Sequence, residues 1–177
     1  MKIFPTLTFA LFAFAIPLKR TVDQVKADIT EISNQVKALG SAISSFPDSG
    51  GTLQQALEIH SSAQNLVSTI NTATSDVNGT PTFSEDDSKD ILNLFQGLAP
   101  DVSSTLQALV SKKPAFDALP LGQASALVKQ DLGQLADATK SLESALIDKA
   151  PDDLKGQAQQ VAEGINSDIT SAQSAYA

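Results

Sequence analysis

The sequence predicts an all-α fold, an antiparallel bundle of about five amphipathic helices with the third kinked near Pro100. Three observations carry that reading. Apolar residues recur at spacings of three and four from Val22 to the last residues of the chain, the period of a helix with one buried face. Clusters of Gly, Pro, Ser and Asn cut this pattern into segments of helical length. Nowhere do short alternating runs of β-branched residues appear, as a sheet would need.

The first helix shows the pattern most cleanly. Val22, Val25, Ile29, Ile32, Val36, Leu39, Ile43 and Phe46 form one stripe, and Pro47 with Gly50-Gly51 ends it. Thr52 caps a second helix from about Leu53 to Val77, with Leu53, Ala56, Leu57, Ala63, Leu66, Val67, Ile70, Ala73 and Val77 on its apolar face. Asn78 to Pro81 reads as the following turn. Ser84 is a strong N-cap for the third helix, and Glu85, Asp86 and Asp87 suit the positive end of its dipole. Ile91, Leu94, Phe95 and Leu98 continue past Pro100 into Val102, Leu106, Leu109 and Val110, so a kink is expected there rather than a stop. Pro114 to Pro120 reads as a connection holding Phe116 and Leu119. The fourth helix is placed over about Leu121 to Asp148, with Leu121, Leu127, Val128, Leu132, Leu135, Leu142 and Leu146 inward. Pro151 opens the fifth, whose inward positions are Leu154, Ala158, Val161, Ile165, Ile169, Ala172 and Tyr176. Short turns between such helices imply a bundle. Ala and Ser are abundant throughout and large aromatics are scarce, which permits either close helix contact or an internal space.

Residues 1–15 have the form of a secretory signal peptide: Lys2, an apolar run from Ile3, and the small-x-small sequence Ala13-Phe14-Ala15. Residues 16–20 then read as a propeptide ending in the dibasic Lys19-Arg20, leaving 21–177 as one helical domain. The full chain has 12 basic and 20 acidic residues and a net charge of −8. Without Lys2, Lys19 and Arg20 the net charge is −11, which argues against a nucleic-acid partner. The chain has no cysteine, so helix packing rather than disulfides must hold a secreted domain together. Asn78-Gly79-Thr80 is a glycosylation sequon in a turn-like stretch, with Pro81 behind it.

No catalytic or metal-binding pattern stands out. His60 is the sole histidine, and alone it supports neither a transition-metal site nor a serine-based triad. The serines lie in Ala/Ser-rich helical context without a nucleophile elbow. Glu85-Asp86-Asp87 lacks the spacing of a calcium loop and reads as helix-cap charge. Gly50-Gly51 has no Lys-Ser/Thr behind it, so no phosphate loop is expected. The expectation is a non-enzymatic protein without a cofactor or metal. Phe95, Leu98, Phe116 and Leu119 flank the kink and the Pro-bounded connection, where two helices can separate and admit a ligand.

The run Leu106-Gln107-Ala108-Leu109-Val110-Ser111-Lys112-Lys113-Pro114-Ala115-Phe116-Asp117 leads into Ala118-Leu119-Pro120-Leu121-Gly122, then Asp131-Leu132, Leu135, Thr139, Leu142, Ala145-Leu146 and Ala150-Pro151. With the leader, this resembles the fungal hydrophobic surface-binding protein A family, which includes lipid-binding domains of cell-wall galactomannoproteins. The resemblance implies a secreted, extracellular or wall-associated helical domain. It implies as partners long-chain fatty acids or similar lipids held in a cavity, hydrophobic surfaces, and a secreted esterase recruited to them. A structural or antigenic wall protein without a ligand is the remaining alternative.

A C16 chain can gain about 10 kcal/mol on burial before entropic and desolvation costs. From stripe position, the expected apolar lining of such a cavity is Leu66, Ile70, Phe95, Leu98, Val102, Leu106, Phe116, Leu132 and Leu135, with Lys112 or Lys113 as a head-group contact. An adsorbing protein would instead open its helices and lay the same apolar faces on a surface. A continuous internal cavity in the folded state separates the two readings.

Overall fold

The computed structural model describes residues 21–119 and 123–177. The segments read as a leader (1–15) and as a propeptide with Lys19-Arg20, together with Pro120-Leu121-Gly122, lie outside the described residues. Among those described there are six helices and no strand: α1 Val22–Ser45, α2 Leu53–Gly79, α3 Glu85–Ser111, α4 Lys113–Asp117, α5 Ala124–Lys149 and α6 Asp152–Ala175. Five are long, and α4 is a single short turn within what the sequence suggested was a plain connection. Pro114 falls in the first turn of α4, where its missing N–H is not needed.

Side chains at the N-termini explain where the first three helices begin. The Thr21 hydroxyl accepts from the Gln24 backbone N–H at 3.2 Å. Thr52 and Gln55 form a reciprocal capping box, and the Ser84 hydroxyl accepts from the Asp87 N–H at 3.1 Å. The second helix runs past Val77 to Gly79. There the Thr80 hydroxyl donates to the Asp76 carbonyl at 2.7 Å, and Lys149 Nζ donates to the Thr80 carbonyl at 2.6 Å, so the terminal carbonyls are satisfied. The third helix continues through Pro100. Pro100 is exposed, on the outer face, where no neighbouring helix meets its ring.

The long helices alternate in direction along the chain, but the order around the bundle is not the order in sequence. The substantial contacts are α1 with α2, α2 with α5, α5 with α6, α6 with α3, and α3 with α1. The five long helices therefore close a ring. Polar contacts fix the directions. Lys26 meets Asp87 and Asp90, and Lys37 meets Asp101, so α1 and α3 run parallel. His60 meets Asp131, and Lys149 meets Thr80, so α2 and α5 are parallel as well. Leu109 with Tyr176 closes α3 on α6 at the same end. Asn166 with Glu143, and Gln173 with the Leu132 carbonyl, make α5 and α6 antiparallel.

Every residue of the first stripe from Val25 to Phe46 is buried. In α2 the expected face is rotated at one point: Leu57 is 44% exposed, and Ile59 takes the buried position. Leu57 lies one residue from Ala56 and two from Ile59, so the helical period alone did not decide which of them faces inward. Between α1 and α3 the approach is close. A Cβ on Gly40 would lie 2.5 Å from the Thr105 hydroxyl, so a glycine is what allows the two parallel helices to meet there.

Candidate functional site

A ring of five helices leaves more room on its axis than a four-helix bundle, and here that room is an apolar cavity of about 80 Å³. This is several times the space one water molecule needs. All five long helices line it: Ile32, Val36, Leu39 and Ile43 from α1; Ile59, Ala63, Leu66 and Ile70 from α2; Phe95, Leu98, Val102, Thr105, Leu106 and Leu109 from α3; Val128, Asp131, Leu132, Leu135, Thr139 and Leu142 from α5; and Ile165 and Ile169 from α6. Ala63, Val102, Leu135 and Thr139 are partly exposed, so the lining reaches the surface of the bundle at these positions.

Eight residues of the sequence-derived lining meet here: Leu66, Ile70, Phe95, Leu98, Val102, Leu106, Leu132 and Leu135. Phe116 does not line the cavity. It is 1% exposed, and its ring stacks on Phe46 with centroids 4.6 Å apart, where α4 packs against the end of α1. Lys112 and Lys113 do not line the cavity either. Lys112 Nζ lies 2.6 Å from Asp48, and Lys113 Nζ lies 2.7 Å from Asp117 and 5.6 Å from the centre of the Tyr176 ring. Asn78 is exposed in the last turn of α2, while Thr80 of the same sequon is buried.

The polar groups that do face the cavity are Thr105, Thr139 and Asp131. Asp131 is held in place. His60 Nδ1 lies 2.9 Å and 2.8 Å from its two oxygens, and Gln64 Nε2 donates to Oδ1 at 2.8 Å. Gln64 also donates to Gln134 Oε1 at 2.6 Å. His60 is thus occupied in orienting an acid at the cavity wall. Asp131 was recognisable in the sequence only from its position, three residues after Val128 and one before Leu132 on the inward arc.

A second, smaller cavity of about 40 Å³ lies between α3, α5 and α6. Phe95 lines both cavities. The smaller one is apolar except for Ser88 and Glu143. Glu143 is 5% exposed, and burial pushes its carboxyl up to about 7, against a smaller opposing effect of the hydrogen bond from Asn166. In the unfolded chain the same group titrates near 4.5. Between these values the native protein holds a proton that the unfolded chain has released, so stability falls as pH rises from about 4.5 to about 7 and levels off above. A shift of this size corresponds to about 3 kcal/mol in a dry site, and to about 2 kcal/mol once nearby solvent is allowed for. Urea midpoints measured across this range should show the decline in the wild type, and Glu143→Gln should flatten it.

The acidic start of α3 is engaged in capping and ion pairs. The Ser84 hydroxyl donates to Asp87 Oδ2 at 2.6 Å, Lys26 bridges Asp87 and Asp90, and Lys89 pairs with Glu85. Among the described residues no group of three or more His, Cys, Asp or Glu side chains is placed to hold a metal ion. No helix among them is long and apolar enough to cross a membrane.

The family model described as hydrophobic surface binding protein A matches residues 22–148. Cell wall mannoprotein 1 of Aspergillus fumigatus is 34% identical over 148 residues, which is 84% of this chain and 49% of that protein. Cell wall mannoprotein 1 of Aspergillus flavus is 30% identical over 172 residues, 97% of this chain and 60% of the relative. The chain thus spans about half to three-fifths of the length of these curated relatives. Among solved structures, the crystal structure of AfMp4p in complex with palmitic acid has a TM-score of 0.83 at 29% identity, covering 89% of this chain and 100% of the other. Ligand binding domain 1 of the Penicillium marneffei MP1 protein, complexed with arachidonic acids, has a TM-score of 0.80 at 18% identity, covering 89% and 99%. At that identity the second likeness shows the fold alone.

Proposed function

The chain belongs to the hydrophobic surface binding protein A family, and on that premise we propose that it binds a long-chain fatty acid or similar single-chain lipid inside the helix ring. The observation that carries this reading is the central cavity, lined almost wholly by apolar side chains from all five long helices. Aliphatic residues suit an alkyl chain, because burial of each CH₂ contributes about 0.8 kcal/mol and no directional contact is required. The palmitic acid complex of AfMp4p supports the same reading at 29% identity.

The protein acts by sequestration rather than catalysis. His60 is committed to Asp131, and the family is named for binding. The mannoprotein relatives support a secreted, wall-associated location. Adsorption to a hydrophobic surface is the activity in the family's name. In the closed ring Leu57 is the exposed large hydrophobic among the described residues. Adsorption through the apolar stripes therefore requires the ring to open. Recruitment of a secreted esterase rests on the family resemblance alone.

Mass spectrometry of solvent extracts from the purified protein, with added palmitate as a titrant, tests the reading. Co-purified fatty acid near one equivalent, or saturable palmitate binding, is the expected result. Protein that carries no lipid and takes up no palmitate, yet is depleted from solution by apolar beads, would overturn the cavity reading in favour of adsorption.

A further inference from the structure

The smaller cavity holds the two polar groups that the apolar-chain reading does not use. Glu143 reaches it from α5. Its Oε2 accepts from Asn166 Nδ2 at 2.6 Å, and Asn166 also donates to the Ala162 carbonyl at 2.9 Å. That pairing fixes the carboxyl and leaves Oε1 buried without a hydrogen-bond partner. Ser88 reaches the same cavity from α3, is 4% exposed, and its hydroxyl oxygen is also without a partner. Buried polar atoms are nearly always paired, because an unpaired one loses its water without replacement. Two such atoms lining one small cavity are placed to hydrogen-bond a group that enters it.

We propose that this cavity is a head-group subsite, in which Glu143 and Ser88 hydrogen-bond the uncharged O–H head of a long-chain amphiphile, a hydroxyl or a protonated carboxyl, in preference to a carboxylate. The inference rests on the lipid-binding reading above and adds the class of head group. Phe95 lines both cavities, which places the head seat next to the space for the chain.

The surroundings favour an uncharged head. From α3 the cavity is faced by Ser88, Ile91, Leu92 and Phe95, and from α6 by Leu154, Ala158, Val161 and Ala162; Phe83 closes it from the loop before α3. Among the described residues Glu143 is the titratable group in that lining. Asp87 and Lys89, which flank Ser88 in sequence, are engaged with Lys26 and Glu85. Among the described residues no Lys, Arg or His lines this cavity to balance a second carboxylate beside Glu143. Because burial holds the Glu143 proton up to about pH 7, the side chain donates to a ligand oxygen below that value. Above it the side chain accepts from a hydroxyl but repels an ionised fatty acid.

The test is a set of binding titrations of the full chain with palmitic acid and with hexadecanol, at about pH 5.5 and about pH 8.5. Wild type, Glu143→Gln and Ser88→Ala are compared, with melting curves confirming that each variant is folded. Comparing variant and wild type at one pH removes the ionisation of free palmitic acid from the result. At the higher pH, Glu143→Gln should bind palmitate about tenfold more tightly than wild type, while hexadecanol binding to wild type changes little between the two pH values. Ser88→Ala should weaken both ligands several-fold. Palmitate and hexadecanol titrations that are the same for all three proteins would overturn the subsite, leaving Glu143 and Ser88 hydrated only. A wild type that binds neither ligand would overturn the lipid-binding reading and the subsite with it.

Discussion

Phe116→Ala is expected to lower stability by about 3–5 kcal/mol while changing the ligand affinity of the folded protein by less than about threefold. Phe116 is 1% exposed and stacks on Phe46, itself 2% exposed, with an interplanar angle of 29°. Truncation removes the ring from this contact and leaves a hole that rigid neighbours do not close. Gly51 belongs to the same packing unit. A Cβ there would lie 2.5 Å from the tip of the Phe46 ring and 2.9 Å from its edge, so Gly51→Ala should disturb the same stack. Urea denaturation gives the stability change, and palmitate titration of the folded fraction gives the affinity. A small stability loss with a large affinity loss would place Phe116 in the ligand site after all.

The reason for separating these two readouts shows how far the sequence could be read. The stripes of α1, α3 and α6, and the caps at Thr52 and Ser84, were legible because periodicity and capping are local properties. They follow from residues within a few positions of one another. The choice between Leu57 and Ile59 was not, since both lie close to the inward arc of α2 and only the neighbouring helix decides between them. The order of helices around the ring was illegible for the same reason. Short loops favour sequence neighbours as partners, yet α1 pairs with α3 and α2 with α5. Stripe position puts Phe116 in the expected lining, with Pro114 to Pro120 reading as a connection. As a helical turn, α4 directs that ring onto Phe46 instead. Glu143 and Asp131 are buried acids that no local motif marks. Their inward positions, three residues before Leu146 and three after Val128, were the available signal.

The cavity itself follows from ring closure, and its largest consequence is tested by filling it. Ala63→Phe should weaken palmitate binding by at least about a hundredfold while leaving the protein folded. Ala63 lines the central cavity beside Leu66 and Ile70 and is partly exposed, so a larger side chain at this position takes up space at the edge of the lining rather than in a sealed core. A phenyl ring there excludes about four methylenes of an alkyl chain. At about 0.8 kcal/mol each, this removes about 3 kcal/mol of burial, which sets the hundredfold scale. The accompanying stability change should be small, within about 1 kcal/mol, because the ring enters existing space instead of displacing packed atoms. Leu57→Phe is the control: the same ring on an exposed position of the same helix should leave affinity unchanged. Palmitate bound equally well by Ala63→Phe would mean that the chain does not enter the helix ring at all. It would then lie against the outside of the bundle, or against apolar faces exposed when the helices separate.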